Sequence, residues 1–210
     1  MGRRAYVSSV RAAAAAEKRD RVIEAAAKSL REDASIASFS LDSVAKVAGV
    51  TRLTVYNQFG SRRGLLEAVF DDIARQGGLH EIADAMAMPD PYAALDRLVE
   101  IFCGFWNRDP AVGRLHEAMA TDPEFAQALL ERNERRRKTV NTLIRRTAGK
   151  TASPRARQDA VDLIFALTSF AMFAMLGRDR SADDVCALVK SACRRALDPP
   201  SPVGQRPTRS

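Results

Sequence analysis

The chain has 210 residues, enough for one or two compact domains with an apolar core, and carries a net charge of +7 that suits a polyanionic partner. It has no continuous apolar run long enough for a membrane span, and the Ala12 to Ala16 stretch is too short for a signal peptide, so a cytoplasmic protein without a membrane partner is expected. Three scattered cysteines, Cys103, Cys186 and Cys193, lack disulfide-scaffold or metal spacing and read as small buried hydrophobes; the alternative, a redox sensor, needs an exposed low-pKa thiol that nothing nearby supports.

In chain order, residues 1–16 combine Arg3, Arg4 and Arg11 with an alanine run and read as a disordered basic leader, or alternatively as a minor-groove arm. The first helix is expected over 18–31, with Val22, Ile23, Ala26, Ala27 and Leu30 on one face. Residues 41–48 form a second helix with Leu41, Val44, Ala45 and Ala48 at helical spacing, followed by a Gly49-Val50 corner and a third helix over 51–59. Gly49 stands where a helix ends in a left-handed residue, and Ser40, Thr51 and Ser61 stand where N-caps are wanted. Two helices joined by such a corner match a helix-turn-helix, although an ordinary helical hairpin has the same outline. A fourth helix over 61–76 carries Leu65, Leu66, Val69, Phe70 and Ile73 and ends at Gly77-Gly78.

Beyond it, 79–88 is a weak helical turn or two. A buried helix follows over 91–107, with Leu95, Leu98, Ile101, Phe102, Phe105 and Trp106. Asp109-Pro110, Asp122-Pro123, Ser153-Pro154 and Ser181 open helices reaching about 120, 147, 177 and 197. Arg135, Arg136, Arg137 and Lys138 are consecutive, so they point around their helix and read as a solvated surface. The Pro-rich residues 198–210 are expected to be disordered. With no sustained alternation and no repeats, the fold class is all-α, with about nine helices. The basic surplus is uneven: residues 1–76 hold 13 Lys/Arg against 9 Asp/Glu, whereas 77–197 hold 18 against 16, which places the excess around the helix-turn-helix.

The order Val44-Ala45, Ala48-Gly49-Val50-Thr51, Thr54-Val55-Tyr56, Phe59, Ser61-Arg62 and Leu65-Leu66, with Arg21 to Ala27 upstream, resembles the DNA-binding segment of the TetR family of bacterial transcriptional regulators. The chain departs from that pattern at Leu30, Leu53 and Arg63, and its first corner, 32–38, lacks the usual Gly. Further segments, PYAALDRLVEIFCGFWNRDP, TDPEFAQALLERNERRR and DLIFALTSFAMFAML, resemble one C-terminal subtype of the same family. The resemblance implies a DNA-binding domain over 17–76, in which 61–76 is the connecting helix, and an effector-binding and dimerisation domain over 77–197.

It implies a ligand-responsive DNA-binding regulator, a repressor, that meets a palindromic operator as a homodimer. The alternative is a dimeric small-molecule-binding protein of the same fold with lost DNA binding. Expected DNA contacts are Ser40, Thr51, Arg52, Leu53, Thr54, Tyr56, Asn57, Gln58 and Arg62, since Asn and Gln pair with adenine, Arg with guanine, and helix N-termini with phosphate. Val44, Val47, Val55 and Phe59 are assigned to packing. Phe102, Phe105, Trp106, Met119, Phe165 and Phe173 read first as core and, given the family, as the lining of a site for a small apolar or aromatic effector. Phe170, Met175, Val185, Leu188, Val189 and Ala192 are the expected dimer interface. His80 and His116 are the only histidines, and no pattern calls for a metal, a cofactor or catalysis.

Overall fold

The computed structural model describes residues 2–32, 35–147 and 153–198, with side chains from Ala12 onward. Among the described residues there are eleven α-helices, two short 3-10 turns and no strand.

Helix α1 spans Gly2–Glu32. The helix begins at Gly2 and so includes most of the 1–16 stretch that composition reads as a basic leader. No Gly or Pro interrupts residues 3–32, and Ala12 to Ala16 are the best helix formers available. Extending an anchored helix costs far less than nucleating one, so the N-terminal turns grow from the packed half. That packed half buries Val22, Ala26 and Leu30, the apolar stripe read from the sequence.

A 3-10 turn at Ile36–Ser38 leads to α2 (Leu41–Ala48), α3 (Arg52–Phe59) and α4 (Arg62–Gln76). All three helices carry the expected hydroxyl caps: Ser40 accepts from the Ser43 amide, Thr51 from Thr54 and Ser61 from Gly64. Gly49 ends α2 at φ 65°, and the Val50 amide returns to the Ala45 carbonyl at 3.0 Å. Val44 and Val55 are buried as expected, but Val47, also assigned to packing, lies on the outer side of α2.

The remaining helices are α5 (Ile82–Ala87), α6 (Pro91–Arg108), α7 (Ala111–Ala118), α8 (Pro123–Thr147), α9 (Pro154–Leu167), α10 (Phe170–Leu176) and α11 (Ala182–Leu197). Two features raise the count above nine: α5 forms, and the helix expected over 153–177 breaks into α9 and α10 with a 59° bend. Thr168 and Ser169 cause the break. The Thr168 hydroxyl donates back to the Ile164 carbonyl at 2.8 Å, and Ser169 caps α10 by accepting from the Met172 amide. The tail from 199 lies outside the described residues.

The chain forms two compact units, Met1–Gly77 with Arg108–Glu131 and Gly78–Asn107 with Arg132–Ser210. In the first, α1 packs against α2, α4 and α7, around Leu65, Leu66, Val69, Leu115 and Phe125. Arg31 forks onto the Asp109 carboxylate at 2.6 and 3.0 Å and so ties the end of α1 to the start of α7. Burial is the largest single influence on the Asp109 carboxyl and raises its pKa, but the Arg31 hydrogen bonds, the Ala111 amide and the Arg31 charge together outweigh it and hold the group below its usual range. In the second unit α11 lies on α9, and Leu95, Leu98, Phe105 and Ile164 lie in the core.

Candidate nucleic-acid interface

Helix α3 buries a single residue, Val55. Thr51, Arg52, Leu53, Tyr56 and Asn57 are all exposed, with Leu53 at 65% and Tyr56 at 56%. A helix held by one aliphatic anchor and two capped corners keeps most of its surface for something outside the chain. Exposed Leu53 and Tyr56 sit there at a cost in apolar hydration that a partner removes. Thr54 is half-buried, its hydroxyl 2.9 Å from that of Thr51.

The cations are arranged differently from the sequence expectation. Arg52 lies 3.5 Å from Asp42, both more than three-fifths exposed, so the pair is weak and readily exchanged for a stronger anion. Arg62 is half-buried and directs its guanidinium to partners within its own unit. Nε donates to the Phe39 carbonyl at 3.2 Å, Nη1 to Asp122 at 3.2 Å and Nη2 to the Ile36 carbonyl at 3.4 Å, with the Phe39 ring 5.7 Å away. The phosphate contact expected of Arg62 therefore competes with partners inside its own unit, carbonyls left open by the 3-10 turn and a partly buried carboxylate.

Gln58 is likewise turned toward its own unit. It is half-buried, and its Oε1 is enclosed without a hydrogen-bond partner, so it faces the fold rather than a base. The Gln58 carbonyl accepts from Arg19 Nη1 at 3.2 Å, while the Arg19 guanidinium stacks 4.5 Å over Phe59. Arg19 thus pins the C-terminal end of α3, where carbonyls attract a cation. Sequence periodicity gave no sign of it, since Arg19 lies on the exposed side of α1. Ser40 spends its hydroxyl in a capping box with Ser43, which leaves the backbone amides of the first turn of α2 as its contribution to an anion site.

In the second unit Phe102, Phe105 and Trp106 are buried together. Trp106 lies 6.3 Å from Phe102, 4.7 Å from Phe105 and 5.8 Å from Phe170, and its indole donates to the Thr168 carbonyl at 3.1 Å. Phe165 and Phe173 are half-buried. Met119 belongs to the first compact unit and does not join this cluster. Arg136, expected in solvent, is buried against Phe165.

The expected dimer residues divide into two groups. Val185 and Val189 are 0% and 2% exposed and pack inside the protomer; with Cys193 they form the inward stripe of α11, so they are corrected to core. Met175 and Leu188 point outward, as does Leu163, while Phe170 and Ala192 are half-buried. Burial pushes the Cys103 and Cys193 thiols up to about 12, with neighbouring Cys186 adding to the shift at Cys103. That fits inert core thiols. Among the described residues no single helix is long and apolar enough to cross a membrane, and no group of His, Cys, Asp and Glu forms a metal site.

Comparison with known proteins agrees with this geometry. Residues 23–69 match the family model of bacterial regulatory proteins of the tetR family, and residues 89–201 match the tetracyclin repressor-like C-terminal domain. The HTH-type transcriptional regulator EthR of Mycolicibacterium smegmatis is 32% identical over 114 residues, 53% of this chain and 52% of EthR. The chain therefore spans about half the length of the curated relatives it matches. Among solved structures, a TetR-family protein from Rhodococcus sp. superposes with a TM-score of 0.67 at 18% identity, covering 87% of this chain and 99% of that one. A protein from Saccharomonospora viridis in complex with choline superposes at 0.65 with 16% identity, over 84% and 95% of the two chains. With both halves matched by the family's models, the chain belongs to the TetR family of bacterial transcriptional regulators.

Proposed function

We propose that this chain is a cytoplasmic, homodimeric repressor that reads a palindromic operator through α3 and releases it on binding a small effector with an apolar or aromatic body. The observation that carries the reading is α3 itself: Val55 anchors it, and Thr51, Arg52, Leu53, Tyr56 and Asn57 face outward. Asn57 offers adenine a bidentate amide, Arg52 offers guanine a fork, and Thr51 and Leu53 offer thymine methyl contacts. Phosphates fall to the amides at the α2 N-terminus and to the Tyr56 hydroxyl. Two copies with α3 about one helical turn of DNA apart, ~34 Å, impose palindromy on the site. Dimerisation is supported by the outward apolar side chains Leu163, Met175 and Leu188, which a lone protomer leaves wet.

In this reading residues 17–76 carry the DNA-reading helices, and 77–197 supply effector binding and pairing. The buried ring cluster around Trp106 supports an effector with an apolar body, and the choline complex of the S. viridis protein shows that a chain of this fold can hold a small molecule. Selection of bound duplexes from a random pool tests the central claim. A palindrome with two half-sites about one DNA turn apart is expected, bound with a steep loss of affinity as salt rises. Enrichment of a single asymmetric motif, or of none, overturns the homodimeric operator reading.

A further inference from the structure

Helix α8 carries four cations in a row, and they meet three different environments. Arg135 and Lys138 are exposed, and Arg137 pairs with Asp162 and lies 3.8 Å from Glu134. Arg136 is only 8% exposed, and among the described residues it has no carboxylate partner. Its two hydrogen bonds both leave from Nη1, to the Phe165 carbonyl and the Thr168 hydroxyl, each at 2.7 Å. Nε is buried and has no hydrogen-bond partner at all. The guanidinium carbon lies 4.1 Å from the Phe165 ring centre and 5.7 Å from that of Phe102.

Capping the C-terminal end of α9 accounts for part of this arrangement, since helix-end carbonyls carry partial negative charge. It does not account for the Nε edge. A guanidinium binds a carboxylate best side-on, through Nε–H and the neighbouring Nη2–H, and Nη1 is the group already spent on α9. Burial pushes Arg136 down to about 10, and the charge of Arg137 pushes the same way. A desolvated cation whose unused donor edge lies among aromatic rings is matched by an anion with an apolar body.

We propose that Arg136 is the anion anchor of the effector site, and that the effector is an amphipathic carboxylate whose alkyl or aryl body lies against Phe102 and Phe165. The proposal rests on the effector-responsive reading above and narrows its ligand to an acid. Trp106 is the only tryptophan in the chain and is stacked with Phe102, so its emission reports on this cluster directly.

The test uses the full chain with sodium decanoate and 4-phenylbutyrate, and with decan-1-ol and decyltrimethylammonium as neutral and cationic counterparts. The two carboxylates should shift Trp106 emission saturably and dissociate the operator complex, and decan-1-ol should bind at least about tenfold more weakly than decanoate, as expected for loss of a charge-assisted pair. Arg136→Met keeps the side-chain volume. It should abolish the preference for decanoate over decan-1-ol in a protein that still unfolds cooperatively. Arg136→Lys, which keeps the charge, should retain part of the preference and covers the case in which the methionine variant does not fold.

If decan-1-ol or the ammonium binds and releases DNA while the carboxylates do not, the acid assignment falls and the effector reading stands. If the methionine variant keeps the carboxylate preference, Arg136 is only a cap for α9. If no compound of any charge alters Trp106 emission or the operator complex, the acid assignment and the effector reading fall together.

Discussion

Replacing Arg62 by alanine removes two hydrogen bonds to backbone carbonyls and one hydrogen-bonded ion pair inside the first unit. The bond to the Phe39 carbonyl at 3.2 Å comes from a charged donor, and its loss costs about 1–1.5 kcal/mol. The longer contact to the Ile36 carbonyl, 3.4 Å, adds a few tenths at most. Arg62 and Asp122 are 28% and 16% exposed, between the surface and buried limits, so that pair contributes about 1 kcal/mol. Contacts sharing one side chain are not additive, and a total of roughly 2–3 kcal/mol follows. For a chain of this size that lowers the melting temperature by about 5–10 °C. Operator affinity measured across salt concentrations separates this role from phosphate binding, because each lost phosphate contact flattens the salt slope by about 0.9. The slope of Arg62→Ala should equal that of the parent, and Asp122→Ala should couple to it by about 1 kcal/mol in a double-mutant cycle. A parental melting temperature with a slope reduced by about one would refute the inward assignment and return Arg62 to the DNA.

Asn57→Ala should relax preference at particular base pairs by about 1–3 kcal/mol, whereas Gln58→Ala should leave base preferences untouched; gel shifts on single-base operator variants decide, and uniform weakening by Asn57→Ala makes it a backbone contact. Leu188→Glu should yield a folded monomer by sedimentation, whereas Val189→Glu should unfold the second unit, since Val189 is 2% exposed; a dimeric Leu188→Glu protein moves the interface elsewhere. Cys103 and Cys193 should resist a thiol reagent at pH 8 until the chain unfolds, and labelling of all three cysteines within seconds contradicts their burial. Their raised pKa also fixes a sign. The stabilisation they give is complete below the ordinary thiol range and is lost as pH climbs toward about 12, so Cys193→Ala should flatten the alkaline fall in melting temperature.

Local chemistry was the legible part of the sequence. Ser40, Thr51, Ser61 and Gly49 mark helix ends through bonds to backbone a few residues away, and those bonds are present. Periodicity likewise located the buried stripes of α1 and α4, because one face of each meets the core. It failed where a second surface competes for a side chain. On α11 both Val189 and Leu188 are aliphatic, and only the neighbour α9 determines which is inside. Arg62, Gln58 and Arg136 look like surface residues in the sequence, yet each turns toward its own unit, Arg62 and Arg136 toward oxygens 23 or more positions away that no spacing rule reaches. Residues 12–20 of α1 are exposed, so no apolar stripe in the sequence marks that stretch of the helix.

The polypeptide passes between its two compact units at 77/78, 107/108 and 131/132, so the unit holding α3 is not a contiguous stretch of gene. A shuffling event that exchanged only the first 77 residues would strip α1 and α4 of α7, and of the α8 turns that carry the buried Phe125. In the operator-reading proposal, a new preference is therefore acquired more cheaply by point changes at the exposed α3 positions Arg52, Leu53, Tyr56 and Asn57 than by recombination of whole modules. Chimeric regulators assembled on this scaffold should keep 108–131 and the reading helices from the same parent.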